Sequence, residues 1–237
     1  MNEIYSANFP DTILLDYNTS NPKLYSTTME YSIEFGLSPE NRYDYEEYTE
    51  FLNSAIKNFR SSKFYKHYKN YLYSIGINKC AFHPNMQNDS DDNIVTLEMH
   101  HCMLTIYDIA MLITEHYLNT LPKEIAFTEF DLVDIIKNEH KNNNIPIVFL
   151  CKNCHNLYHH SFLYIEPDQI FGNYISLLLK YKNGWTNNSI LEKIIRYLNR
   201  SLNSQHLKNR EKLLKLRDNI INWSSINNII LKNEEIN

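Results

Sequence analysis

At 237 residues, with 43% hydrophobic and 22% charged side chains, the chain has the makeup of a globular protein able to bury a sizeable core, as one elaborated domain or two small ones. Only four glycines argue against a loop-rich β-barrel and for helices; the net charge of −5 does not advertise a nucleic-acid binder, although local fields steer ligands more than totals do. No basic segment followed by an apolar run opens the sequence, and no apolar stretch approaches the roughly 18–20 residues that span a bilayer, so the expectation is a cytoplasmic chain, neither secreted nor membrane-bound.

Residues 1–42 mix Tyr, Asn, Pro and Ser with short apolar runs and read as an irregular N-terminal arm. From Tyr43 to about Tyr73 the spacing of Phe51, Ala55, Phe59, Phe64, Tyr68 and Leu72 predicts helix, with a break near Ser61-Ser62. Lys57, Arg60, Lys63, Lys66 and Lys69 recur every three residues on it, with tyrosines interleaved: a basic stripe that either meets phosphates or is a solvated face. Gly76 is placed to end the helix. Cys80 and His83 follow, then a polar, acidic loop, then an alternating stretch from Ile94 to Met99 that reads as a strand leading into His100-His101.

Thr105-Ile-Tyr-Asp108 has the form of a capping box with Asp in place of Glu, opening a helix to about Tyr117; Thr128-Glu-Phe-Asp131 opens another. Ile145–Leu150 is a second short apolar strand running straight into Cys151-Lys-Asn-Cys154-His155-Asn-Leu-Tyr-His159-His160. Three further helices are expected at about 170–182, 188–202 and 205–222, the last carrying Lys208, Arg210, Lys212, Lys215 and Arg217. The fold class is thus α+β, mostly helical.

Two ligand sets emerge from this order. Cys80-x-x-His83 and Cys151-x-x-Cys154 supply four soft or borderline ligands in two knuckles, the number and spacing of a closed structural zinc site. In a chain without a secretory signal, such pairs favour metal over disulfides. His100 and His101 end a strand, so their side chains point to opposite faces: one can bind a metal while the other faces a substrate. His155 and His159, i and i+4 on a short helix, share one face and can share one ion. Three neutral imidazoles leave positions open for water and a phosphate oxygen, and the remaining histidine can take a proton from water near neutral pH.

Strand, connection, strand and ligand-bearing helix, with His100-His101 and the Cys-x-x-Cys-His-x-x-x-His block, resemble the HNH endonucleases, a ββα-metal family. The run Leu-Glu-Met-His-His-Cys-Met-Leu-Thr-Ile-Tyr-Asp-Ile (97–109) is similar to a subgroup in tailed bacteriophages. The likeness covers about residues 65–180. It divides the chain into the arm (1–42), an HNH-like zinc and ββα-metal domain (43–182) with helices inserted at about 104–141, and partly basic C-terminal helices (183–237). It implies His101 as general base; His100, His155 and His159 as ligands of a catalytic Mg²⁺, Mn²⁺ or other divalent ion; and Cys80, His83, Cys151 and Cys154 around structural Zn²⁺. The implied activity is hydrolysis of DNA phosphodiester bonds; the charge pattern, rather than the likeness, offers Lys57, Arg60, Lys63, Lys66, Lys69, Lys208, Arg210 and Lys212 as the candidates to hold the DNA. The expected surroundings are the host cytoplasm, with a phage or viral protein as a further partner.

The chain departs from the family at three points. Pro146 stands where the middle Asn is usual, and Asn144, two residues off register, is the candidate for its supporting role. The connection from His101 to Cys151 is long, and Cys102 follows the histidine pair where a small or apolar residue is usual. His160 is either a phosphate contact or a surface side chain. Against the enzyme stands a catalytically silent, zinc-stapled DNA-binding or phage structural protein, favoured by the acidic charge and Pro146; a third reading merges all the ligands into one structural cluster. The four candidate active-site histidines favour the enzyme, because a structural zinc site needs none of them.

Overall fold

The computed structural model describes residues 36–37, 44–86, 96–122, 125–204, 207–229 and 231. Most of the N-terminal arm and Ile94-Val95 of the expected strand lie outside these residues. Within the arm's span, Gly36–Leu37 form a short strand (β1) that pairs antiparallel with Phe127–Thr128 (β3), and Leu37 is buried. A two-residue strand carries no periodicity of its own; it exists because a partner edge is present.

Helix α1 (Tyr45–Ser61) starts where Asp44 accepts from the Glu46 and Glu47 amides, and it buries Phe51, Leu52, Ala55, Ile56 and Phe59 along one face. Ser62 ends it in extended backbone (φ −69°, ψ 148°) and caps α2 (Lys63–Ser74) by accepting from the Tyr65 amide. The expected break is therefore a hinge between two capped helices, and the basic stripe is split over both. Gly76, at φ +85°, closes α2: its amide donates to Tyr73 O and that of Ile77 to Leu72 O, the pairing that a left-handed residue permits.

The two strands that matter for the site are β2 (Leu97–His101) and β4 (Ile147–Cys151), paired antiparallel from Leu97 opposite Cys151 to His101 opposite Ile147. All five β4 residues are buried, which explains why its sequence is a continuous apolar run without alternation. Between the strands lie α3 (Ile106–Thr120) and α4 (Glu129–Lys141), each opened by the capping box read from sequence: Thr105 with Asp108, and Thr128 with Asp131. Asp108 and Glu139, both buried, also hold Lys193 and Lys180, and the Tyr181 hydroxyl donates to Glu139 at 2.7 Å. The inserted helices are thereby tied to the C-terminal ones.

After β4 comes α5 (Lys152–His159), then α6 (Tyr174–Lys180), α7 (Asn188–Leu202) and α8 (Arg210–Ile226). Helix α6 begins later than the expected residue 170 because Phe171 exchanges backbone hydrogen bonds with Ile147 and Asn173 caps the helix. Gly172 makes this bridge possible: at φ +110° a side chain is strained, and a Cβ there would overlap the Ile145 carbonyl. Helix α8 starts five residues later than expected and runs four further. A single hydrophobic cluster runs from Leu37 through Phe59, Tyr68, Phe149 and Trp185 to Ile220. The protein is α+β and mostly helical, and no helix among the described residues is long and apolar enough to cross a membrane.

Candidate functional site

Helix α5 and its N-cap contribute to both ligand sets: Cys151 and Cys154 to one, His155 and His159 to the other. Cys151 is both the last residue of β4 and the N-cap of α5, and Cys154 lies in its first turn. Cys80 and His83 come from a knuckle after α2, which is held against β4 by the Ala81 amide donating to Phe149 O. Ligand atoms of Cys80, His83, Cys151 and Cys154 lie within 4.8 Å of one another. His83 Nδ1 is 3.9, 3.7 and 3.2 Å from the sulfurs of Cys80, Cys151 and Cys154. A tetrahedral zinc with ordinary bond lengths separates N and S by about 3.6 Å, so the four residues could hold that ion.

The thiols differ in acidity. Burial raises the Cys80 pKa, but amides of Cys151, Phe82 and His83 and the His83 ring outweigh it and bring the thiol down to about 7. Cys154 is pushed up to about 12, by burial and then by the sulfurs of Cys151 and Cys80. Sulfurs so close oppose each other's ionisation unless a cation joins them.

The histidines form a second, separate group, which removes the reading of one merged cluster. His100, His155 and His159 place ligand atoms within 4.8 Å of one another. The Nε2 atoms of His155 and His159 are 3.1 Å apart, and the His100 ring stands 5.1 Å from each of the other two. A shared divalent ion at roughly 2.1 Å from each nitrogen would separate two ligands by about 3.0–3.4 Å. His155 Nδ1 donates to Glu98 Oε2 at 2.7 Å, leaving its Nε2 lone pair directed at His159. Burial, and then His155 and His159, lower the His100 pKa to about 4, so it is neutral, as a ligand must be.

Glu98 was not singled out from sequence. The signal was there: it lies two residues before His100 and so on the same strand face.

His101 points the other way. It is 7% exposed, and its Nε2 is 3.3 Å from Nε2 of His140 on α4. Burial, then His140 and Arg60, hold its pKa well below the usual imidazole range. His140, packed among Phe59, Phe64 and Tyr68, was also missed: it lies 39 residues away, and only the fold of the inserted helices brings it in.

The remaining candidates divide. Asn144 donates to Glu139 at 2.7 Å, and Pro146 O accepts from the Cys102 amide, so Asn144's side chain is committed to the Glu139 network. Exposed His160 bonds Asn156 O through Nδ1, the surface reading. Cys102 is fully buried with its thiol pushed up to about 12, the inert outcome. Lys57, Arg60, Lys63, Lys66, Lys208 and Lys212 are exposed, whereas Lys69 Nζ donates to Leu97 O and Arg210 to Leu202 O. Of the two basic stretches, the first lies beside the histidines, with Arg60 close enough to oppose protonation of His101.

Burial of His140 predicts acid sensitivity. Desolvation lowers its pKa to about 4, partly countered by its Ile136 O bond and by Glu139. The unfolded chain, with an imidazole near pKa 6.5, binds this proton first, so the contribution is complete above about pH 6.5 and lost as pH falls toward 4. Urea unfolding should show wild type losing about 3 kcal/mol more than His140→Leu between pH 7 and pH 4. Identical pH dependence in the two proteins would refute this.

No curated protein and no solved structure matches the chain. The family model described as Bacteriophage G278-like virion protein matches residues 4–227, nearly the whole length. This chain, with two candidate metal centres that meet at one short helix, belongs to the bacteriophage G278-like virion protein family.

Proposed function

We propose that this phage protein is a metal-dependent endonuclease of the HNH, ββα-metal type that hydrolyses DNA phosphodiester bonds. The observation that carries the reading is the convergence of His100, His155 and His159, from a strand and a helix, with Glu98 behind them. Beside them Cys80, His83, Cys151 and Cys154 already offer four ligands that could hold a structural zinc ion, and stability alone gives no reason for a second, partly exposed set. His155 is half-buried and His159 exposed, so a ligand can reach the site from solvent.

In this reading a divalent ion held by the three imidazoles supplies charge stabilisation for the phosphate and the leaving 3′ oxygen. His101 accepts a proton from the attacking water. Its depressed basicity is offset when a phosphodiester brings negative charge alongside. Arg60 and its neighbours on α1 and α2 attract the DNA backbone, and Glu98 keeps the His155 ring in the ligating tautomer.

The test is nicking of supercoiled plasmid by the zinc-loaded protein, which should require Mg²⁺, Mn²⁺ or a similar ion. Absence of cleavage across a panel of ions and of single- and double-stranded DNAs would end the enzyme reading. Glu98→Ala should weaken Mn²⁺ binding at the histidines by roughly 10–100-fold, measured by calorimetry, with zinc content unchanged. Equal Mn²⁺ affinity would remove Glu98 from the site.

The virion-protein family supports a second reading, a zinc-stapled structural or DNA-binding component of the particle. It predicts zinc in stoichiometric amount and no divalent ion at the histidines.

A further inference from the structure

The pair His101–His140 is a polar contact inside an otherwise apolar wall. His140 is fully buried, ringed by Phe59, Phe64 and Tyr68, and neither the resemblance nor the sequence pattern gives it work. Its bonding pattern nevertheless fixes where two protons sit. His140 Nδ1 is 2.7 Å from the carbonyl oxygen of Ile136, one turn back on α4. A carbonyl only accepts, so Nδ1 carries the hydrogen and the neutral ring presents a lone pair at Nε2. That lone pair is 3.3 Å from His101 Nε2, which must then be the donor. The remaining ring nitrogen of His101, Nδ1, is left with its lone pair.

We infer that His140 is the positioning residue for the base, locking His101 in the Nε2–H tautomer so that Nδ1 is the atom that takes the proton from water. The chain of donors runs from His101 Nε2–H to His140 Nε2 and from His140 Nδ1–H to Ile136 O. It performs by an imidazole what Asn144 cannot, since the Asn144 amide is bound to Glu139. Helix α4, which lengthens the connection between the two strands, thereby completes the site: it brings the orienting group that Pro146 cannot supply. Around His101 the other charged or titratable neighbours are Arg60 and His100, and around His140 they are Glu139 and Tyr68. None of these is bonded to the two nitrogens that define the tautomer.

The role as a base rests on the nuclease reading, while the tautomer can be measured without it. The probe is the full-length, zinc-loaded protein labelled with ¹⁵N-histidine. Long-range proton–nitrogen correlation separates protonated from lone-pair ring nitrogens, with assignments from single substitutions. Wild type should show His101 as Nε2–H and His140 as Nδ1–H. His140→Gln, whose Oε1 can still accept, should keep the His101 tautomer and most of the nicking. His140→Leu should leave His101 a tautomer mixture and slow nicking roughly 10–100-fold with zinc content unchanged. An Nδ1–H His101 in wild type overturns the inference, and so does His140→Leu with an unaltered tautomer and rate. The wild-type spectrum decides even if the leucine variant fails to fold. Wild type that never nicks but shows the locked tautomer overturns the nuclease reading instead.

Discussion

Replacing Cys151 with serine is expected to release zinc and unfold the protein. Cys151 occupies three structural roles at once: the last residue of β4, the N-cap of α5 and a member of the cluster with Cys80, His83 and Cys154. The cluster ties a knuckle at residue 80 to a helix start about 70 positions later, so a bound ion closes a long loop that neither half could close alone. Zinc binding in small structural sites contributes apparent free energies of about 10–16 kcal/mol, whereas a whole domain is stable by about 5–15 kcal/mol. Losing the ion can therefore exhaust the net stability. Serine keeps the size but is a harder, less acidic ligand that suits zinc poorly. The measurements are zinc stoichiometry and thermal melting by circular dichroism. Cys102→Ser is the control: that thiol is equally buried but outside the cluster, so zinc should be retained and melting only modestly lowered. A soluble Cys151→Ser protein with an unchanged melting temperature would refute stapling by this site.

Features readable from sequence were those set by neighbours along the chain. The capping boxes at Thr105 and Thr128 form within one turn, and the hinge at Ser62 follows from a serine able to end one helix and cap the next. The pairing of His155 with His159 follows from helical spacing, and the opposed directions of His100 and His101 from strand alternation. Features that escaped depend on distant segments. Strand β1 forms because Phe127–Thr128 offers an edge, α6 starts late because Phe171 is held by Ile147, and His140 meets His101 because α4 packs against α1 and α2. Charge counting also says nothing of individual contacts: Lys69 donates to the Leu97 carbonyl at the head of β2, which triplet spacing cannot show.

The two candidate centres meet at α5. Cys154 and His155 are adjacent, so an ion held at the start of the helix would orient the face that presents His155 and His159. A purely structural particle component would need the first centre and would be indifferent to the second. That difference makes the histidine face, rather than zinc content, the place to separate an enzyme from a structural protein.

Substituting His101 with alanine is expected to abolish plasmid nicking while leaving fold and zinc content intact. His101 is not among the ligand atoms of either cluster, so neither ion should be lost. Removing a general base typically costs a factor of about 10²–10⁴, which takes cleavage below detection in an ordinary nicking assay. Truncation also strands His140 Nε2 in an apolar wall, and an unpaired buried acceptor costs about 1–3 kcal/mol. A small drop in melting temperature should therefore accompany the lost activity, and inactivity caused by unfolding would show as a large one. His101→Ala that nicks at the wild-type rate would exclude His101 as the base. The proton would then have to leave by another group, and the contact with His140 would be no more than packing.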